Sequence, residues 1–314
     1  MNRFSFFAIL ITISLVLGAC APTSPAVPTP APTAAGIQVT DGLGRPVRLA
    51  APAKKVVSLA PSNTEILFAL GAGSLMIGRD EFSDYPVEAK KIASIGGSMG
   101  KYNLEEIARL QPDLVLAASI NTPEQIKALE SLNLTVYVLA NPTDLNGIFT
   151  NLDLIGKLVN KETEAKALAG SLKARVQAVE EAVAKTASKP KVFYELDGSD
   201  AAKPWTAGSG SFIDILIKMA GGINAAAALK DYAQFSQEEL LIQDPEIILL
   251  GDAAYGTTAD QVKSRAGWSV LKAVKDGKIF AFDDNLVSRP GPRLVDGLVE
   301  MAKLIHPEIS ASIK

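Results

Sequence analysis

The sequence is short of the residues that carry metal and redox chemistry: 314 positions hold one cysteine, one histidine and two tryptophans. One cysteine cannot close a disulfide within the chain, and one Cys with one His cannot build a Cys/His metal site. Only tyrosine and carboxylate oxygens remain as candidate metal ligands, and no metal site is expected. Basic excess is lacking as well. Lys and Arg number 31 against 34 acidic residues, for a formal charge of -3, and no basic patch marks a nucleic-acid partner. Nor does the amino end carry a spanning helix: its apolar run, Phe4 to Leu17, is shorter than the roughly 20 residues a bilayer requires.

What the chain does have is 48% hydrophobic and 21% charged residues, the balance of a globular protein long enough for two cores. Arg3 followed by the apolar run reads as a secretory signal. It ends in Leu17-Gly18-Ala19-Cys20, which looks like a bacterial lipobox. Residues 1–19 are therefore expected to be a signal peptide and Cys20 the lipidated residue. Residues 20–36 form a tether with prolines at 22, 25, 28, 30 and 32, holding the folded part some tens of ångströms from the membrane at about 3.1 Å per residue. The expected location is extracytoplasmic, on the outer face of the cell membrane, or its periplasmic side where an outer membrane exists.

The folded part is organised around one stretch, Lys161 to Ala187. Leu168, Leu172, Val176, Val179 and Val183 recur at helical spacing between charged faces. At 1.5 Å per residue this predicts a helix of roughly 40 Å, long enough to brace two lobes. The segments on either side repeat. Ser62 to Gly73 resembles Ser211 to Gly222, and Asn103 to Leu116 matches Ser236 to Leu249 without a gap, each a cap, a helix, a Pro and a strand. The expected fold class is α/β: two Rossmann-like lobes, residues 37–145 and 189–314, joined through helices in 146–188 that include one long rigid brace, with a cleft between the lobes.

In the first lobe, Asp41-Gly42 marks a hairpin turn, Lys55 to Leu59 a strand, and Ser62 with Glu65 a capping box opening a helix. Strands at Leu75–Gly78, Lys91–Ile95, Leu114–Ala117 and Thr135–Leu139 and helices at Leu104–Leu110 and Glu124–Leu132 imply a parallel sheet. Large side chains sit in two of its loops. Phe82, Tyr85, Met99 and Tyr102 either stack on a flat ligand or cover those loops from inside. In the second lobe, Trp205 lies in a Gly- and Pro-rich loop, Tyr232 precedes a helix, and Arg289 and Arg293 flank Pro290-Gly291-Pro292 before the last helix. Arginines fixed by prolines suit a carboxylate, phosphate or amide-rich ligand, or else pair with charges at a helix start.

An enzyme reading fails on context. Gly96-Gly97-Ser98-Met99-Gly100 satisfies G-x-S-x-G, and a carboxylate and His306 follow in hydrolase order. A nucleophile elbow requires strand, Ser and helix in immediate succession, whereas Lys101 and Tyr102 intervene before the cap Asn103. His306 stands at the end of a helix. No catalytic residue is expected.

Val56 to Gly73, Asp84-Tyr85-Pro86, Asn103 to Leu116 and Arg289 to Gly297 together resemble the periplasmic binding proteins of vitamin B12, haem and ferric-siderophore importers, over nearly all of residues 37–310. The resemblance implies a monomeric protein that captures its ligand in the cleft and delivers it to a permease dimer with ATPase subunits. It has no cofactor of its own; cobalt or iron arrives with the ligand. Phe82, Trp205 and Tyr232 fall at aromatic positions of the B12 binders and Arg289 at a matching Arg, while Met99 stands where those tend to have Trp. Haem binders carry a Tyr iron ligand near the position of Ser98. A corrinoid is the expected ligand, with a ferric siderophore or haem as the alternative. Glu105 and Glu238, equivalent in the two repeats, match the glutamates that dock such proteins on their permease.

Overall fold

The computed structural model describes residues 36–97 and 100–313. Cys20, the signal peptide and tether through residue 35, Ser98, Met99 and Lys314 lie outside the described residues.

The first lobe opens with a hairpin of β1 (Ile37–Thr40) and β2 (Pro46–Leu49). Asp41 closes its turn by accepting from the Leu43 and Arg45 amides and the Arg45 guanidinium. Then β3 (Val56–Ser58), α1 (Pro61–Ala69), β4 (Met76–Arg79), α2 (Leu104–Leu110), β5 (Leu114–Ala118), α3 (Pro123–Ser131) and β6 (Val136–Leu139) alternate. Their strands make a four-stranded parallel sheet in the order β4-β3-β5-β6. Every residue of β3, β5 and β6 is buried, as strands covered on both faces must be.

Two helices follow, α4 (Leu145–Leu158) and α5 (Glu162–Val183). The second lobe holds β7 (Lys191–Asp197), β8 (Trp205–Ala207), α6 (Phe212–Met219), β9 (Ile223–Asn224), β10 (Tyr232–Gln234), α7 (Gln237–Gln243) and β11 (Ile247–Leu250), then α8 (Ala259–Lys263), α9 (Lys272–Lys275), β12 (Ile279–Ala281), α10 (Asn285–Ser288) and α11 (Leu294–Ile305). Its six-stranded sheet runs β10-β8-β7-β11-β12 with β9 beside β7. Strands β7, β9, β11 and β12 are parallel, and β8 and β10 form an antiparallel edge.

The internal repeat is visible in the caps. Asn103 and Ser236 accept from the amides three residues on, and α2 and α7 both stop at a left-handed residue, Gln111 and Asp244, just before a proline. The reciprocal half of each capping box is not formed. Glu106 turns to Arg109 and Glu239 to Gln243, and the Asn103 amide is already held by the Ile95 carbonyl.

Four further expectations are corrected. The first helix starts at Pro61 with Ala60 as its cap and no side-chain cap bond; Ser62 lies inside its first turn and does not cap it, and Glu65 instead bonds arginines of the other lobe. Lys91 to Ile95 is not a strand: 87–91 is a 3-10 turn, and Ser94 makes only an isolated bridge to Arg79. Alternating apolar residues are too few there to hold a strand on the sheet. Trp205 sits in a strand, not a loop, and Tyr232 in the strand beside it. The brace is 22 residues, about 33 Å at 1.5 Å per residue.

Packing joins the lobes. Val57, Leu59, Ile107 and Val138 belong to a core private to the first lobe, and Phe193, Phe235, Leu250 and Trp268 to one private to the second. The opposite faces of both sheets share one continuous core, from Val56 and Leu116 through Leu152, Leu172 and Val179 to Tyr194, Leu249 and Leu298. Interiors this dense do not deform continuously, so the lobes are fused across α4, α5 and α11.

Candidate ligand-binding site

Three parallel strands of the first lobe end at one cavity of about 580 Å³. Its walls are the chain at and just beyond the end of each strand: Leu59 to Ser62 after β3, Asp80 and Phe82 after β4, and Ala118, the last residue of β5, with Ser119 and Ile120. Asn141, two residues past β6, and Tyr102 complete that side. The second lobe closes it with Phe212, Tyr232 and Val287 to Pro290. The carboxyl ends of strands in open α/β sheets are where such folds bind ligands, and the volume suits an organic ligand.

Of the sequence-derived candidates, Phe82, Tyr102, Tyr232 and Arg289 line the cavity. Phe82 at 57%, Ile120 at 69% and Tyr232 at 50% exposure leave its mouth unusually apolar, the kind of patch a partner or ligand covers. Trp205 does not line the cavity. It is 43% exposed, and the antiparallel register that sets Gln234 opposite it and Tyr232 opposite Ala207 places Trp205 and Tyr232 on one face of the sheet edge. Tyr85 is elsewhere, its ring 3.9 Å beneath the Arg293 guanidinium, against a second cavity lined by Phe68, Leu168 and Leu172. Met99 lies outside the described residues.

The arginines do not wait for a ligand. Arg293 donates to Glu65 through Nε at 2.9 Å and Nη2 at 2.6 Å. Arg289 donates to Asp84 at 2.7 Å and to Glu65 at 3.3 Å. Glu65, on α1 of the first lobe, is only 2% exposed, so one buried carboxylate takes two guanidiniums of the second lobe. Burial opposes the charge on Arg293, but its hydrogen bonds to Glu65 carry its pKa above the ordinary value. Burial likewise works to raise Asp84, yet Arg289 brings its carboxyl below the usual range.

Two polar groups were not foreseen in detail. Tyr102 donates to the Leu59 carbonyl at 2.9 Å and accepts from Asn121 at 2.8 Å, and burial raises its hydroxyl pKa. Asp80, 2% exposed, is the only acidic side chain among the described residues lining the cavity; burial raises its pKa also. A lone Asp after a short strand carries no pattern that sequence reasoning could seize.

Among the described residues flanking the glycine loop, Gly96 bridges Tyr102 and the Gly97 amide donates to the Lys101 carbonyl, so the chain pairs back on itself there and does not run from strand directly into helix. His306, 1% exposed, packs its ring on Gly221, where a Cβ would lie 2.7 Å from Nε2. It is a core residue.

Two α/β lobes fused by a helical brace, with a cavity at their junction, make the arrangement of a solute-binding protein. The chain belongs to the periplasmic binding protein family, whose model matches residues 56–286. It is 32% identical to the uncharacterised ABC transporter substrate-binding lipoprotein YvrC of Bacillus subtilis, over 87% of this chain and 86% of that one. It is 31% identical to a cobalamin-binding protein of Halobacterium salinarum, over 95% of this chain and 82% of the other. Among solved structures it resembles the periplasmic haem-binding protein RhuT of Roseiflexus, with a TM-score of 0.72 and 26% identity over 81% of this chain and 98% of that one.

Proposed function

We propose that this is the extracytoplasmic lipoprotein of an ABC importer, anchored through Cys20, and that its cargo is a corrinoid, with the cobalt arriving inside the ligand. The observation that carries the choice of ligand is that the arginine of the cavity is already paired. Among the described residues lining it, Arg289 is the only cation, and it is bonded to Asp84 and Glu65. Such a lining favours a neutral, amide-bearing ring over polyanions such as catecholate siderophores or the propionates of haem. Phe82, Ile120 and Tyr232 supply the apolar faces a macrocycle stacks on, and the likeness to the cobalamin-binding relative agrees.

Likeness to the haem binder supports a second reading. Against it, Tyr102 has both its hydroxyl functions engaged and a raised pKa, and burial, with Asp284, raises Tyr232 too. Neither is poised as the phenolate that ferric iron takes. Protein isolated from the native membrane should carry the absorbance and mass of a corrinoid; a Soret band in its place, or an iron chelate, defeats the assignment. Cys20→Ala in the same preparation should move the protein into the soluble fraction.

A further inference from the structure

Behind the cavity wall the protons available for hydrogen bonding can be counted. Asp80 directly follows β4, its amide donates to the Ser58 carbonyl at 2.9 Å, and its Oδ1 accepts from the Phe82 amide at 2.9 Å. Its Oδ2 meets the Ser83 hydroxyl. From Ser83 a chain runs inward: Ser83 and Thr64 at 2.8 Å, Thr64 to Ser58 at 2.8 Å, and Ser58 to the Ala60 carbonyl at 3.0 Å. All three hydroxyl residues are fully buried. A hydroxyl has one proton to donate, and a carbonyl has none. Ser58 therefore donates to the Ala60 carbonyl, which obliges Thr64 to donate to Ser58 and Ser83 to donate to Thr64. The three hydroxyl protons are then all placed, and the fourth contact, between Ser83 and Oδ2, closes only with a proton on the carboxyl. An ionised Asp80 leaves the chain one proton short wherever the gap falls.

The surroundings favour the neutral form as well. Asp80 is 2% exposed, and burial raises its pKa against the pull of two nearby arginines. Neither arginine bonds the carboxyl. Arg79, on β4, directs Nη1 to the Asp80 and Glu81 carbonyls at 2.9 and 3.1 Å, and Arg289, at the end of α10, is held by Asp84 and Glu65. Tyr102, ahead of α2, donates its own proton to the Leu59 carbonyl. Glu81 and Lys101, the other charged side chains on the loops around it, are exposed. Gly97 has a φ of 120° and would place a Cβ 3.3 Å from that of Asp80, so the glycine loop passes over this group with no side chain between them.

We infer that Asp80 is held in the folded protein as a neutral carboxylic acid, the proton donor that completes the Ser83, Thr64 and Ser58 chain, and that it makes the cavity wall sensitive to pH. Neutral, it leaves the described lining with no unpaired charge, since Arg289 is already paired. Ionised, it places a charge there and removes one bond from the chain that ties the loop after β4 to β3 and α1. The inference holds whichever ligand the cavity takes. Its sign in stability follows from linkage. An unfolded aspartate titrates near about 3.9. A carboxyl whose folded pKa lies above that keeps its proton longer in the native state, so the native state loses stability as pH rises from the unfolded value to the folded one.

The test measures urea midpoints for the full chain in detergent, as wild type and as Asp80→Asn, at a series of pH values above about 4. Asn is uncharged throughout and keeps a donor for Ser83 and an acceptor for the Phe82 amide. The wild-type midpoint should fall relative to that of the variant as pH rises. A wild-type midpoint that rises relative to the variant marks a carboxylate favoured by the fold and overturns the inference, and a constant difference overturns it too. Should the variant fail to fold, carbon-13 NMR of the wild type labelled at its aspartate carboxyls decides the matter. One carboxyl should ionise only after all the others, at a pH above the ordinary aspartate value; if every aspartate ionises at or below that value, Asp80 is not the donor.

Discussion

Glu65 shows what a single residue contributes here and what a sequence hides. Spacing from Ser62 suggested a helix cap, and only the folded chain brings it to Arg293, 228 positions away. Pairing across that separation leaves no local trace, unlike the 3.6-residue rhythm of a helix. Phe82, Tyr102, Tyr232 and Arg289, which line the cavity, were legible as candidates because large or charged side chains in loop positions stand out. Asp80 and Asn141 were not, being ordinary loop residues until the strand ends converge. Glu65→Ala would leave Arg293, at 12% exposure, without its carboxylate. Breaking a buried pair by removing one partner costs about 3–5 kcal/mol, and urea denaturation of the variant should show a loss of that order. A loss below about 1 kcal/mol would mean the pair is as weak as a surface salt bridge.

At the scale of elements, the repeat was read correctly where a cap, a helix and a Pro follow one another, in α2 and α7. In α1 the cap slipped by two residues, from Ser62 to Ala60, because the start at Pro61 depends on ring geometry more than on a capping side chain. The short antiparallel pair β8 and β10 was missed because three-residue strands among Gly and Pro give no period to count. Glu105 and Glu238 occupy equal places in the first turns of α2 and α7, both exposed. Their neighbours Glu106 and Glu239 are turned back onto their own helices, so these two are left facing outward. If each meets one Arg cluster of a dimeric permease, Glu105→Ala with Glu238→Ala should keep full ligand affinity and abolish ATPase stimulation in reconstituted transporter. Normal stimulation by the double variant would refute the docking role, as would a parallel loss of ligand binding.

The described residues form two lobes with one shared core, and from that follow both their stiffness and their electrostatics. A core continuous from Val56 through Leu172 to Leu298, reinforced by Glu65 with Arg289 and Arg293, leaves little room for a hinge, and closure on the ligand should be only a few degrees. The same ion cluster that ties the lobes neutralises Arg289, the one cation among the described residues lining the cavity, so rigidity and the proposed preference for an uncharged ring have a common origin. The most direct test of this account is isothermal titration of the ligand-free chain with dicyanocobinamide, haemin and a ferric catecholate siderophore. Saturable one-to-one binding of the corrinoid at micromolar Kd or tighter, worth about -8 kcal/mol or more, with no saturable heat from the other two, is the predicted result. Silence with the corrinoid and saturation with haemin or the siderophore would contradict it.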